Sequence, residues 1–100
     1  MLIVLAEATL GEGAVDAGRD AFEAMVTASR AEDGCLGYTY AVDLLDPAKF
    51  LAVEKWVDQA ALDFHFSTPH MAAFQKALGE LDIAITHLAK YQADDGSPLS

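Results

Sequence analysis

The chain has 100 residues, 53% of them apolar, and a formal net charge of −10 from 16 acidic and 6 basic residues. That is enough for one domain and too little for a second core, and the apolar share argues against disorder. Six basic residues are too few for the clustered positive surface that nucleic acid or an anionic membrane requires, and the charge also disfavours strongly anionic substrates.

"LIVLAEATL" is rich in branched apolar residues and predicts a first strand, Leu2 to Thr9, broken by "GEG". The opening "MLIVLAEA" is too short an apolar run for a signal peptide and lacks a basic start. No stretch approaches the roughly 20 apolar residues of a membrane helix, so the expected location is the cytoplasm. From Ala14 to about Glu32, Val15, Phe22, Met25, Val26 and Ser29 recur at three- and four-residue steps, predicting a helix with one apolar stripe. Gly34 stands where a left-handed helix stop is expected. Cys35 is the sole cysteine and has no activating base in its neighbourhood, so it reads as a small buried residue.

"CLGYTYAVDLL" and "KFLAVEKWV" are strand-like runs around "DPA", which predicts an antiparallel hairpin. Alternation places Phe50, Ala52, Glu54 and Trp56 on one face, and Leu51, Val53, Lys55 and Val57 on the other. The same rule sets Leu36, Tyr38, Tyr40 and Val42 against Cys35, Gly37, Thr39 and Ala41. Asp58 is placed to cap a short helix, "QAALDFHF", and Thr68 to cap the next, with Pro69 first in it and Gly79 near its end. "DIAITHLAKYQ" predicts the last strand. Residues 1–92 thus form one domain, and the polar tail 93–100 is expected to be flexible.

Strand–helix–strand–strand–helix–strand is the split βαβ order of an α+β, ferredoxin-like fold, a four-stranded antiparallel sheet with its helices on one face. Neither sheet face is clearly polar, although a half-solvated antiparallel sheet normally alternates cleanly. The uncovered face is therefore expected to bury itself against a second copy, giving a homodimer.

Between positions 54 and 70 the chain gathers Glu54, Trp56, His65, Pro69 and His70. Each has a plain structural reading: Trp56 beside Phe50 as core, Glu54 as an ion-pair partner, His65 as a half-exposed helix residue, His70 as support for a helix start. His87 falls on the last strand, away from this group. A metal site from Glu54, His65 and His70 is conceivable, but the spacing matches no zinc pattern.

"DGCLGY" followed by "FLAVEKWVDQAALDFHFSTPH" resembles the antibiotic biosynthesis monooxygenase family. The matching positions are Gly34, Cys35 and Leu36, then Glu54 and Trp56, then His65, Ser67, Pro69 and His70; the resemblance spans roughly residues 1 to 92. It implies a dimeric α+β barrel. It also implies one of several activities: oxygenation without metal, flavin or haem, haem degradation, or processing of small sugar-derived signals. The haem-degrading branch relies on an Asn on the first strand and a His on the helix. This chain has no Asn, Glu7 stands near the first place and Phe74 near the second, so haem is not expected.

Cofactor-free oxidation of a hydroquinone or phenol by dioxygen needs a base for the phenolic proton and an apolar, water-excluding cavity for the ring. The resemblance places His65 across from Glu54 and Trp56. On that basis His65 is the expected base, Glu54 its orienting partner and Trp56 a ring platform. Tyr38, Phe66, Met71 and Phe74 would complete a substrate pocket, with His70 touching a polar substituent. Two other readings stay open: oxygen-independent acid–base conversion of a small oxygenated metabolite, and a ligand-binding dimer without catalysis.

Overall fold

The computed structural model describes residues Met1–Ser100. Its elements run β1 (Leu2–Leu10), α1 (Ala14–Arg30), β2 (Cys35–Val42), β3 (Lys49–Trp56), α2 (Gln59–Phe66), α3 (Pro69–Leu78) and β4 (Ile83–Gln92). The strands form one sheet in the order β2-β3-β1-β4, with β2–β3, β3–β1 and β1–β4 all antiparallel. This is the expected α+β, ferredoxin-like arrangement, with the second helical region split into α2 and α3. No helix is long and apolar enough to cross a membrane.

Local chemistry accounts for the element ends. Gly13, at φ 77°, takes the left-handed turn that leads into α1. The Asp58 side chain accepts from the Ala61 N–H and that of Thr68 from the Met71 N–H, so both short helices are capped as expected, with Pro69 opening α3. Between β2 and β3 the turn is wider than "DPA". Asp43 accepts from the Leu45 and Asp46 N–H groups, so Leu44 and Leu45 lie outside the strand.

Two expectations about the second strand need correction. The helix α1 ends at Ala31 in an ordinary right-handed conformation, and Gly34 does not take a positive φ. Gly34 is needed for closeness instead: a Cβ there would collide with the Ala61 Cβ of α2 and lie 3.3 Å from Val57 Cγ2. Gly34→Ala is therefore expected to cost about 1–3 kcal/mol through overpacking, read as a lower urea midpoint. The face assignment of Cys35 also changes. A bulge lies between Cys35 and Gly37, so Cys35 pairs with Trp56 and packs on the helix side with Tyr38.

Alternation sends Leu2, Val4, Ala8 and Leu10 of β1, and Phe50, Ala52, Glu54 and Trp56 of β3, under the helices. Leu2, Val4, Met25, Tyr38, Trp56, Leu62 and Met71 form the main core, and Ala8, Leu10, Ala14, Phe50 and Ala52 a second cluster. The opposite face carries Ile3, Leu5, Leu51 and Val53 with Lys55 and Thr39, half-buried to exposed. The helices pack chiefly over β2 and β3, leaving Ile85 and Leu88 of β4 exposed at the edge of the covered face. That uncovered margin is the mouth of a cavity.

Candidate active site

Beneath α3, between the sheet and the helices, lies a cavity of about 220 Å³ whose lining is almost entirely apolar. Ala6, Ala8 and Ala52 supply a floor of small side chains, and their size leaves the space open. Met71, Phe74 and Leu78 of α3 form the roof, and Phe66, Ile85 and Leu88 stand at the exposed margin. Five lining residues carry oxygen in their side chains: Glu54, Tyr38 and Tyr40, which are buried or half-buried, Glu7, whose carboxylate pairs with Lys49, and Gln75. An apolar cavity of about 150 Å³ is known to hold benzene, so this one takes a single substituted ring. A larger groove of about 450 Å³ runs between α1 and β2, but it is open and lined by Arg19, Arg30 and Glu23 among apolar groups. Glu54 does not line that groove and does line the smaller cavity.

Glu54 is 9% exposed, and its Oε1 accepts a hydrogen bond from Trp56 Nε1 at 3.1 Å. The two residues are two apart on β3 and so share a face. Burial pushes the Glu54 carboxyl up to about 7; the Trp56 N–H pulls it down, and the negative charge of Glu32 pushes it up further. On the neighbouring strand Tyr38 pairs with Glu54 and Tyr40 with Ala52, and the two phenol oxygens lie 2.9 Å apart. Burial raises the pKa of both tyrosines, so both keep their protons. One of those protons bridges the pair, and the other is free to be donated. The cavity thus presents a carboxylate that protonates near neutrality beside a fixed hydroxyl donor.

The expected Glu54–His65 pair does not form. His65 is fully buried, and its Nδ1 lies 2.7 Å from Glu32 Oε2, while His70 Nε2 lies 2.7 Å from the same oxygen. A carboxylate oxygen only accepts, so both rings donate: His65 carries its proton on Nδ1 and His70 on Nε2. Trp56 and His65 do face one another, with ring centroids 4.5 Å apart and planes at 42°. Yet Trp56 is 0% exposed and neither ring lines the cavity, so Trp56 is a support for Glu54 and cannot be a platform for substrate. Of the expected pocket residues, Tyr38, Phe66, Met71 and Phe74 do line it, and His70 does not. His87 lies exposed on β4, 3.3 Å from the Tyr91 hydroxyl.

Glu32, the hub of the histidine pair, went unnoticed in the sequence because it is 33 and 38 positions from its partners. Its one local mark, an acid just past the end of an amphipathic helix, is commonplace. Tyr40 was noticed only for its face. Its role emerges from the register that sets its hydroxyl against that of Tyr38.

Trp56→Phe keeps an aromatic ring and removes the one interaction that lowers the Glu54 carboxyl. The Glu54 titration midpoint is then expected to rise by roughly one pH unit, given about 1.5 kcal/mol for a hydrogen bond to a charged group. Carboxyl ¹³C NMR across pH 5 to 9 reads it directly.

The family model for antibiotic biosynthesis monooxygenase matches residues 1–77. Probable quinol monooxygenase YgiN of Escherichia coli K12 is 33% identical over 88 residues, covering 78% of this chain and 85% of that protein. The uncharacterized protein sll1783 of Synechocystis is 38% identical over 52 residues, and the chain spans only 35% of its length. A solved structure from Deinococcus radiodurans superposes with a TM-score of 0.89 at 26% identity, covering 100% of this chain and 99% of that one.

Proposed function

The chain belongs to the antibiotic biosynthesis monooxygenase family, and from that premise we propose that it oxidises a small single-ring hydroquinone or phenol with dioxygen. The supporting observation is Glu54: a carboxyl raised to about 7 inside an apolar cavity of one-ring size. A base poised near the working pH combines availability with driving force. The similarity to a protein named as a quinol monooxygenase favours the same substrate class.

In this reading Glu54 takes the phenolic proton, and the Tyr38–Tyr40 pair holds an oxygen of the ring or of the reduced dioxygen. The phenolate passes one electron to dioxygen, and the resulting radical pair forms a carbon–oxygen bond on the ring. Glu54 returns its proton to the peroxide. The O–O bond then breaks with loss of the ring C–H proton as water departs, and that ring carbon becomes a carbonyl. Hydroquinone plus dioxygen gives hydroxyquinone plus water, so no external reductant is required, and no metal, flavin or haem takes part. The apolar walls keep bulk water from the radical and peroxide. His65 and His70 stand behind the wall as positioning residues, replacing the earlier expectation of His65 as base.

Turnover under ¹⁸O₂ tests the reaction class. One labelled atom is expected in the quinone product and one in water; absence of oxygen uptake across a set of one-ring hydroquinones would overturn the reading. A second reading draws on the same carboxyl, because a group titrating near 7 serves equally as acid and as base. It is oxygen-independent isomerisation of a small oxygenated metabolite, and full turnover under argon would favour it.

We also propose that the face bearing Ile3, Leu5, Leu51 and Val53 is covered by a second copy of the chain. Light scattering at micromolar concentration is expected to give twice the 10.7 kDa chain mass; a monomer would remove this proposal.

A further inference from the structure

We propose that Glu32, His65 and His70 form a binding site for one divalent metal ion of the zinc class, outside the substrate cavity. Their ligand atoms all lie within 4.8 Å of one another. Four-coordinate zinc with bonds of about 2.1 Å sets its ligand atoms roughly 3.4 Å apart, so small adjustments of three side chains suffice. Two imidazoles and a carboxylate are a donor set suited to zinc and cobalt.

Three elements fix these donors. Glu32 follows α1, His65 belongs to α2, and His70 lies in the first turn of α3. Between the histidines, Thr68 donates its hydroxyl to the His65 carbonyl and accepts from the Met71 N–H, which sets the bend that turns both rings toward Glu32. A second observation points to a missing partner: Glu32 Oε1 and His65 Nε2 are buried without any hydrogen-bond partner. Buried orphan atoms of this kind are uncommon and costly. Metal binding uses the first of them, Glu32 Oε1. The ion takes His65 Nδ1 and His70 Nε2, each ring moves its proton to its other nitrogen, and the two imidazoles stay neutral. His65 Nε2 then carries a proton, Glu32 brings a second oxygen to the ion, and the site's formal charge passes from −1 to +1. The 23% exposed side chain of His70 gives the ion a route in. The ion would pin α2 and α3 to the end of α1, and the inference stands independently of the proposed reaction.

Chelator-treated protein titrated with Co²⁺ tests this. One equivalent is expected to produce the visible absorption of a four-coordinate site, to be displaced by Zn²⁺, and to raise Tm by at least about 5 °C at a hundredfold excess over Kd. His70→Ala and Glu32→Gln are each expected to weaken binding at least about 100-fold and to abolish the Tm shift. On the wild-type protein alone, Zn²⁺ is expected to move the ring NMR signals of His65 and His70 and to leave exposed His87 in place. Several weak equivalents that persist in both variants would mean collection by surface carboxylates. That result, or unmoved His65 and His70 signals, overturns the site.

Discussion

Glu54→Gln is expected to lower kcat/KM for hydroquinone oxidation by about 10²- to 10⁴-fold, the range of a lost general base, while making the protein more stable. The sign follows from linkage. The folded carboxyl titrates at about 7 and its unfolded counterpart near 4.5, so the folded state holds the proton more tightly. The contribution of Glu54 to stability is therefore greatest below 4.5, declines as pH rises from 4.5 to 7, and stays reduced above 7. That gap, at about 1.4 kcal/mol per pH unit, corresponds to about 3 kcal/mol as an order of magnitude. Glutamine has the same shape, keeps an oxygen for the Trp56 N–H and carries no charge to desolvate. Urea unfolding is expected to show the variant more stable by about 2–3 kcal/mol at pH 8 and equal to wild type near pH 4.5. Loss of activity together with loss of stability at pH 8 would mark Glu54 as a structural residue.

The second large effect is expected at Trp56. Trp56→Ala should cost about 3–5 kcal/mol, a large part of the 5–15 kcal/mol typical of a domain. The side chain is 0% exposed and sits among Tyr38, Met25, Leu62 and Met71, with the tilted His65 ring centred 4.5 Å away. Removing it leaves a void that β2, β3 and α2 cannot close without moving, and it strips Glu54 of its only hydrogen-bond donor. Thermal unfolding is expected to fall by roughly 15–30 °C, from about 4–8 °C per kcal/mol in a domain of this size. A drop of only a few degrees would show that the indole contributes little packing.

Most of the architecture was legible in the residues because it rests on local rules. Alternation in "KFLAVEKWV" placed Phe50, Ala52, Glu54 and Trp56 on one face, which the structure buries, and the Asp58 and Thr68 caps divided the second helical region where the chain divides it. The bulge at Cys35 was not legible, since one extra residue changes the face of its neighbours without altering composition. Gly34 drew attention for the wrong physical reason: its constraint is the approach of Ala61, a contact between distant segments. The site divided along the same line. Tyr38, Phe66, Met71 and Phe74 do line one cavity together with Glu54. Their pairing depended on Glu32, which reaches across to α2 and α3 and takes both histidines. With the imidazoles engaged there and the Glu7 carboxylate paired with Lys49, the buried carboxyl of the cavity is Glu54, and the proposed base changes from a histidine to an acid.

The pH dependence of kcat/KM for enzyme-catalysed hydroquinone oxidation, corrected for spontaneous autoxidation, tests the central claim most directly. In the free enzyme the base must be ionised to act, so the profile is expected to rise tenfold per pH unit below a single midpoint near 7 and to level off above it. A profile flat from pH 5 to 8, or one in which Glu54→Gln follows the wild-type curve, would contradict the account.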